Sequence, residues 1–208
     1  MSGRVVSIRA ALSVLIVAVL LAGGVGAVAA LQLTQQPDHR YDDASVEAGF
    51  VRDMSTHHSQ AVELGLLAYA QAPRAEIGIV GRDIAMTQHG QVGIMQAWLR
   101  EWKLMPTGDQ PAMSWMGHTG NTSGGLMPGM ASNEELTKLR AATGRDFEIQ
   151  WAQLMLRHHL GGIDMAKAVL DLSDDEDVRW LAQIMLNGQQ TEIATLQEMI
   201  DRNGAKPL

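Results

Sequence analysis

A chain of 208 residues with 13 methionines, two phenylalanines, two tyrosines and no cysteine has room for one domain, or for two small repeated halves that share a core. The absence of cysteine excludes disulfides, thiolate metal sites, thiol nucleophiles and acylation at a cysteine, so a soft metal would have to use thioether sulfur or imidazole nitrogen. With 16 basic against 23 acidic residues, nucleic acid is excluded as a natural partner, because phosphate binding needs a basic surface.

The first element is apolar. Ala10 to Leu31 is a run of 22 residues whose only polar member is Ser13, preceded by Arg4 and Arg9 and followed by no charge until Asp38. It is long enough to span a bilayer as a helix. Ala27-Val28-Ala29 fits a small-residue cleavage site, so residues 1–31 are either a cleaved signal peptide or a membrane anchor. In both cases the arginines before the run place the remainder outside the cytoplasm, secreted or periplasmic, or anchored to the cytoplasmic membrane and facing outward. Without Arg4 and Arg9 the exported part carries a formal charge of −9, which suits cations and also serves solubility.

Residues 32–44 read as a polar linker, and residues 45–204 as a helical domain. Helices are predicted from about Ser45 to Ala70 and from about Arg74 to Trp102, broken by "QAPRAE", Gln71 to Glu76, which makes a first hairpin over 45–102. Glycine and proline cluster from Met105 to Gly129. Ser132 and Glu135 form a capping box that opens a short helix ending near Gly144, so 103–144 is a Met/Gly-rich connection with one short helix. A third long helix is predicted from Arg145 to Leu170. "SDDE", Ser173 to Glu176, reads as a capping box for a fourth, which stops at Asn203-Gly204 and completes a second hairpin over 145–204. No stretch alternates with strand period. The expected class is all-α: a four-helix bundle made of two repeated helical hairpins, plus the N-terminal hydrophobic helix.

The repeat is written in chemistry. "MSTHHSQAVELG" from Met54 and "MLRHHLGGIDMA" from Met155 place Met54, His57 and His58 and then Met155, His158 and His159, each 101 positions later, and Gln88 becomes Gln189 at the same offset. At about 100° per residue, His57 and His58 fall roughly 60° and 40° to either side of Met54, straddling a stripe of small residues. Gln88 and Gln189 fall mid-stripe on the apolar faces of their helices. We therefore expect both histidine pairs to meet near a shared axis, with Gln88 and Gln189 hydrogen-bonding into that layer and the network closed. Glu63 and Asp164 fall opposite the methionines and should face water. That arrangement, with no Glu-x-x-His anywhere in the chain, argues against the di-iron carboxylate type of bundle. The core histidines either bind metal or form a polar network that fixes helix register. The connecting segment adds Met113, Met116, His118, Met127 and Met130, thioether and imidazole donors that favour cuprous copper. They would form an exchangeable loop site beside Trp115, or else plug the loop onto the bundle. His39 and His89 are isolated and read as surface or packing residues.

At "FVRDMSTHHSQAVELG", "MPGMASNEELTKLRAATGRDFEIQWAQLMLRHHLGGIDMA" and "QIMLNGQQTEI" the chain resembles the family described as domain of unknown function 305, over about Val46 to Ile200. The resemblance implies an exported bacterial protein on a ferritin-like four-helix bundle, and some members of that family are associated with copper binding and copper resistance. Two departures stand out: the first motif ends "AVELG" where many relatives have a methionine-alanine pair, and Gln91 stands where the second hairpin keeps Glu192. The leading expectation is a non-enzymatic, extracytoplasmic copper-binding protein for buffering or resistance, with a metal ion as partner and the membrane as a second one only if residues 1–31 stay attached. Its rivals are a structural or interaction bundle with no metal role, and a metal-dependent enzyme using the core histidines.

Overall fold

A computed structural model describes residues 41–117 and 125–208. The N-terminal apolar run, the expected linker up to residue 40, His39 and the candidate ligand His118 lie outside the described residues.

Five α-helices form, and no strand occurs among the described residues: α1 (Val46–Gln71), α2 (Ala75–Glu101), α3 (Asn133–Ala141), α4 (Gly144–Leu172) and α5 (Glu176–Arg202). Local chemistry sets their ends. The Ser45 hydroxyl accepts from the Ala48 N–H and opens α1. α1 stops at Ala72 because Pro73 follows and disfavours helical backbone in the residue before it. The capping box of α3 forms in full, with Ser132 accepting from the Glu135 N–H and Glu135 accepting from the Ser132 N–H. A single turn of 3-10 helix, Ser114–Met116, interrupts the stretch expected to be loop.

The start of α5 differs from the expected capping box. Helix α4 runs on to Leu172, so Ser173 becomes its C-terminal cap, its N–H bonded to Val169 O. The Ser173 hydroxyl instead accepts from the Asp175 N–H and donates to Glu47, and Asp175 caps α5 by accepting from the Val178 N–H at 2.8 Å. A carboxylate at that position also complements the positive end of the helix dipole.

The two hairpins, α1/α2 and α4/α5, pack mainly through α1 against α4. Their core is divided along the bundle axis. One apolar cluster gathers Leu64 and Ala68 of α1, Ile77 and Ile84 of α2, Trp151 and Met155 of α4, and Leu196 and Ile200 of α5. The other gathers Phe50 and Met54, Met95 and Leu99, Met165 and Val169, and Leu181 and Met185 of the same four helices. Each helix contributes to the two clusters at opposite ends, so α1 and α4 run antiparallel. The polar residues His57, His58, Gln88, Gln91, His158, His159 and Gln189 fall between the clusters along the helices, each at most 8% exposed. Methionine is unevenly distributed: the second cluster buries Met54, Met95, Met113, Met127, Met165 and Met185, the first only Met155 and Met199.

The connection is fastened to this frame at several points. Asp53 accepts from the Met113 N–H at 2.7 Å and from the Trp115 indole N–H at 2.9 Å. The Gln60 side chain makes a two-way pair with the backbone of Ala131, at 2.6 and 2.9 Å. Gly129 and Gly161 let the Met127–Met130 turn lie directly on α4, since a Cβ at Gly161 would overlap Pro128 O and one at Gly129 would overlap Arg157 O. At the start of the domain Tyr41 is buried against Trp102, with ring centroids 4.5 Å apart. Among the described residues no helix is long and apolar enough to cross a membrane.

Candidate metal centre

Within the polar layer the two histidine pairs meet, as the repeat predicts. The His57 and His158 rings lie with centroids 3.8 Å apart and planes inclined by 33°, while within each pair the centroids are 6.4 Å apart. Every Nε2 has a partner on the protein. His57 bonds Pro128 O at 3.1 Å, His158 bonds His57 O at 3.0 Å, His58 bonds Gln91 Oε1 at 2.7 Å, and His159 bonds the Glu192 carboxylate at 2.6 Å.

All four partners are oxygens that can only accept, so in each ring Nε2 carries the proton and donates. That choice of tautomer leaves Nδ1 with a bare lone pair, and all four Nδ1 atoms are buried without a hydrogen-bond partner. A ring held by one nitrogen with the other free is the arrangement in which imidazole ligates metal. Three of the rings, those of His57, His58 and His158, are also uncharged near neutrality. Burial holds His57 down to about 4, with the bond to Pro128 working the other way. Burial, followed by the neighbouring His57, holds His58 down to about 3. His158 is lowered well below 6.5 by burial and then by the other three imidazoles.

The expected closure through Gln88 and Gln189 does not occur. Both side-chain polar atoms of Gln88, and Oε1 of Gln189, are buried and unpaired. His58 and His159 bond instead to Gln91 and Glu192, one helical turn further along, and these too are related by the 101-residue repeat. The reason is directional. Helical side chains lean toward their own N-terminus, and in an antiparallel hairpin His58 therefore reaches toward the C-terminal part of α2. The open atoms comprise six acceptors, four Nδ1 and two amide oxygens, against one amide nitrogen. Such a set can be satisfied by a cation or by hydrogens from water, but not by itself.

Glu63 and Asp164 face outward as predicted, and Glu63 pairs with Arg140 of α3 at the surface. Among the described residues no group of three or more His, Asp or Glu side chains converges so as to hold a metal ion. The methionines divide. Met54 and Met155 are fully buried but belong to different apolar clusters, so they do not face one another as a pair. Met113 and Met127 are buried in the cluster that holds Met54, and Met116 and Met130 are partly buried against it. Met113 and Met127 of the connection are thus part of the core, where Trp115 packs edge-on against Phe50 with centroids 5.6 Å apart, while Met105 is exposed. His89 is exposed. Sequence reasoning did not identify the roles of Pro128, Gln91 and Glu192. The last two carry a legible signal, since they repeat the His58 and His159 spacing, whereas a backbone carbonyl such as that of Pro128 carries none.

The family model described as domain of unknown function (DUF305) matches residues 47–200. None of the curated proteins matches the chain. Among solved structures, a DUF305 protein from Streptomyces coelicolor, assigned as secreted, is similar at 37% identity and a TM-score of 0.75, over 80% of this chain and 99% of that one. A DUF305 fragment from Deinococcus radiodurans is 28% identical with a TM-score of 0.63, over 76% and 96% of the two chains. CopM in its Cu(I)-bound form is 18% identical with a TM-score of 0.57, over 78% and 97%, a likeness that shows the fold alone.

Proposed function

The chain belongs to the DUF305 family, and from that premise we propose that it is an extracytoplasmic protein that binds cuprous copper and serves metal buffering or resistance. The observation that carries this reading is the set of four buried imidazoles, each fixed with its proton on Nε2 and its Nδ1 lone pair free. Zinc, iron and manganese sites in proteins ordinarily call for three or more nitrogen or oxygen ligands. The described residues bring no three such groups together, while cuprous ion accepts two nitrogens, or one nitrogen with a thioether. The buried thioethers of Met54, Met113 and Met127 on one side of the layer, and of Met155 on the other, supply that kind of donor. Copper and silver forms of CopM, on the same fold, lend coarse support. The N-terminal run of apolar residues behind two arginines supports export, with membrane attachment if it is retained.

Titration of the full-length chain with Cu(I) under a competing chelator tests the reading. Saturable binding that weakens when His58 and His159 are replaced is expected, and binding no tighter than adsorption to surface carboxylates would sink it. A structural bundle without metal is the second reading, favoured by the bonding of every Nε2 to the protein itself. It wins if single alanine substitutions at His57, His58, His158 and His159 each destabilise the metal-free fold and leave metal uptake unchanged.

A further inference from the structure

We propose that Glu192 makes the two halves of the polar layer unequal, so that the α4/α5 half, through His159, takes the first cuprous ion and the α1/α2 half, through His58, takes a second and weaker one. This deepens the cuprous reading and rests on it. The halves otherwise correspond: Met54 with Met155, His57 with His158, His58 with His159, and Gln88 with Gln189. Both inner rings, His57 and His158, donate to backbone carbonyls, of Pro128 and of His57, so they are alike in chemistry. The outer rings are not. His58 donates to the amide oxygen of Gln91 at 2.7 Å, and His159 donates to the carboxylate of Glu192 at 2.6 Å.

Two effects favour the carboxylate side. A carboxylate accepting from Nε2–H pushes electron density through the ring and makes Nδ1 the better donor, an effect worth roughly 10–100-fold in affinity at known metal sites. It also brings one negative charge to the buried layer, which matches one monovalent cation. A cation entering beside the neutral Gln91 would go uncompensated. Glu192 keeps 27% of its side chain exposed and so retains part of its hydration, while the His159 side chain is fully buried. Solvent screens the distant field of Glu192 but leaves the direct hydrogen bond to the ring intact. Glu192 is thus a positioning and charge-matching residue rather than a ligand.

The test is a competition titration of the full-length chain with Cu(I), with 15N-labelled imidazoles reporting which ring responds first. The wild type should fill in two steps separated by roughly 10–100-fold, His159 before His58. E192Q should weaken the first step by that factor, and Q91E should strengthen the second by as much. The double variant Q91E/E192Q keeps the composition of the layer and should reverse the order of loading, a result that a purely structural role for Glu192 would not produce. Should E192Q fail to fold without metal, Q91E, which leaves Glu192 in place, decides the matter. Saturable binding whose affinities and order ignore these substitutions overturns this inference and leaves the cuprous reading standing. Absence of saturable binding in the wild type overturns both.

Discussion

Gln88 is a large amide, 3% exposed, with neither its oxygen nor its nitrogen paired. A buried amide left open costs about 1–3 kcal/mol. Replacement by leucine, close in volume and with nothing to satisfy, should therefore raise the stability of the metal-free protein by roughly that amount, or leave it unchanged. Urea unfolding of Gln88→Leu under a chelator measures it. A loss of stability would mean that the amide is satisfied by something it holds in the layer, water or ion. The same residue marks how far the sequence was legible at this scale. Helical angles placed Gln88 and Gln189 on the inner faces, where they are. They did not reveal that His58 and His159 reach past them to Gln91 and Glu192, because angle alone omits the lean of side chains along the helix axis.

At the scale of elements, the Met127–Met130 turn is held on α4 by contacts between backbones. A methyl added at Gly161 would meet the carbonyl of Pro128, which cannot swing aside as a side chain can, and this is the carbonyl that fixes the His57 proton. Gly161→Ala should cost about 2–3 kcal/mol and loosen the turn. Gly93 offers the contrast. It lies inside α2 with open space around its missing Cβ, so Gly93→Ala should stabilise by roughly 0.5–1 kcal/mol through helix propensity alone. Thermal melts of the two variants should move in opposite directions. Equal and small shifts would mean that the turn is not pressed on α4. The start of α3 at Ser132, the stop of α1 before Pro73 and the stop of α5 before Gly204 were readable in sequence. The cap of α5 was not, because Ser173 was already occupied in closing α4, and competition between neighbouring helices leaves no mark in a four-residue motif. The turn was read as loop because close backbone approach shows in sequence only as glycine, which equally marks simple flexibility.

At the scale of the whole molecule, the duplicated hairpin buries four imidazoles in one layer, and that ties global stability to pH. In the unfolded chain the rings protonate near their ordinary value of about 6.5. In the folded chain His57 stays neutral until about pH 4 and His58 until about pH 3, and His158 is also held well below 6.5. Between these limits the unfolded state binds more protons, so stability rises with pH and is lost as pH falls from about 6.5 toward 4. One such ring contributes up to about 1.4 kcal/mol per pH unit, and three together roughly 4 kcal/mol per unit in the steepest part. The Glu135 carboxyl, held at about 2 chiefly by Arg157, adds to the loss only below the ordinary carboxylate range. Asp53, raised mainly by burial, works in the opposite sense, above its ordinary value of 3.8. Between pH 6.5 and 5 the loss is carried by His57, His58 and His158. Urea midpoints of the chelated protein should be flat from pH 8 to 7 and fall steeply between 6.5 and 5, at unchanged dependence on denaturant. A midpoint that holds level down to pH 5 would mean that the rings ionise as freely in the folded chain as in water, and the buried layer between the two apolar clusters would have to be abandoned.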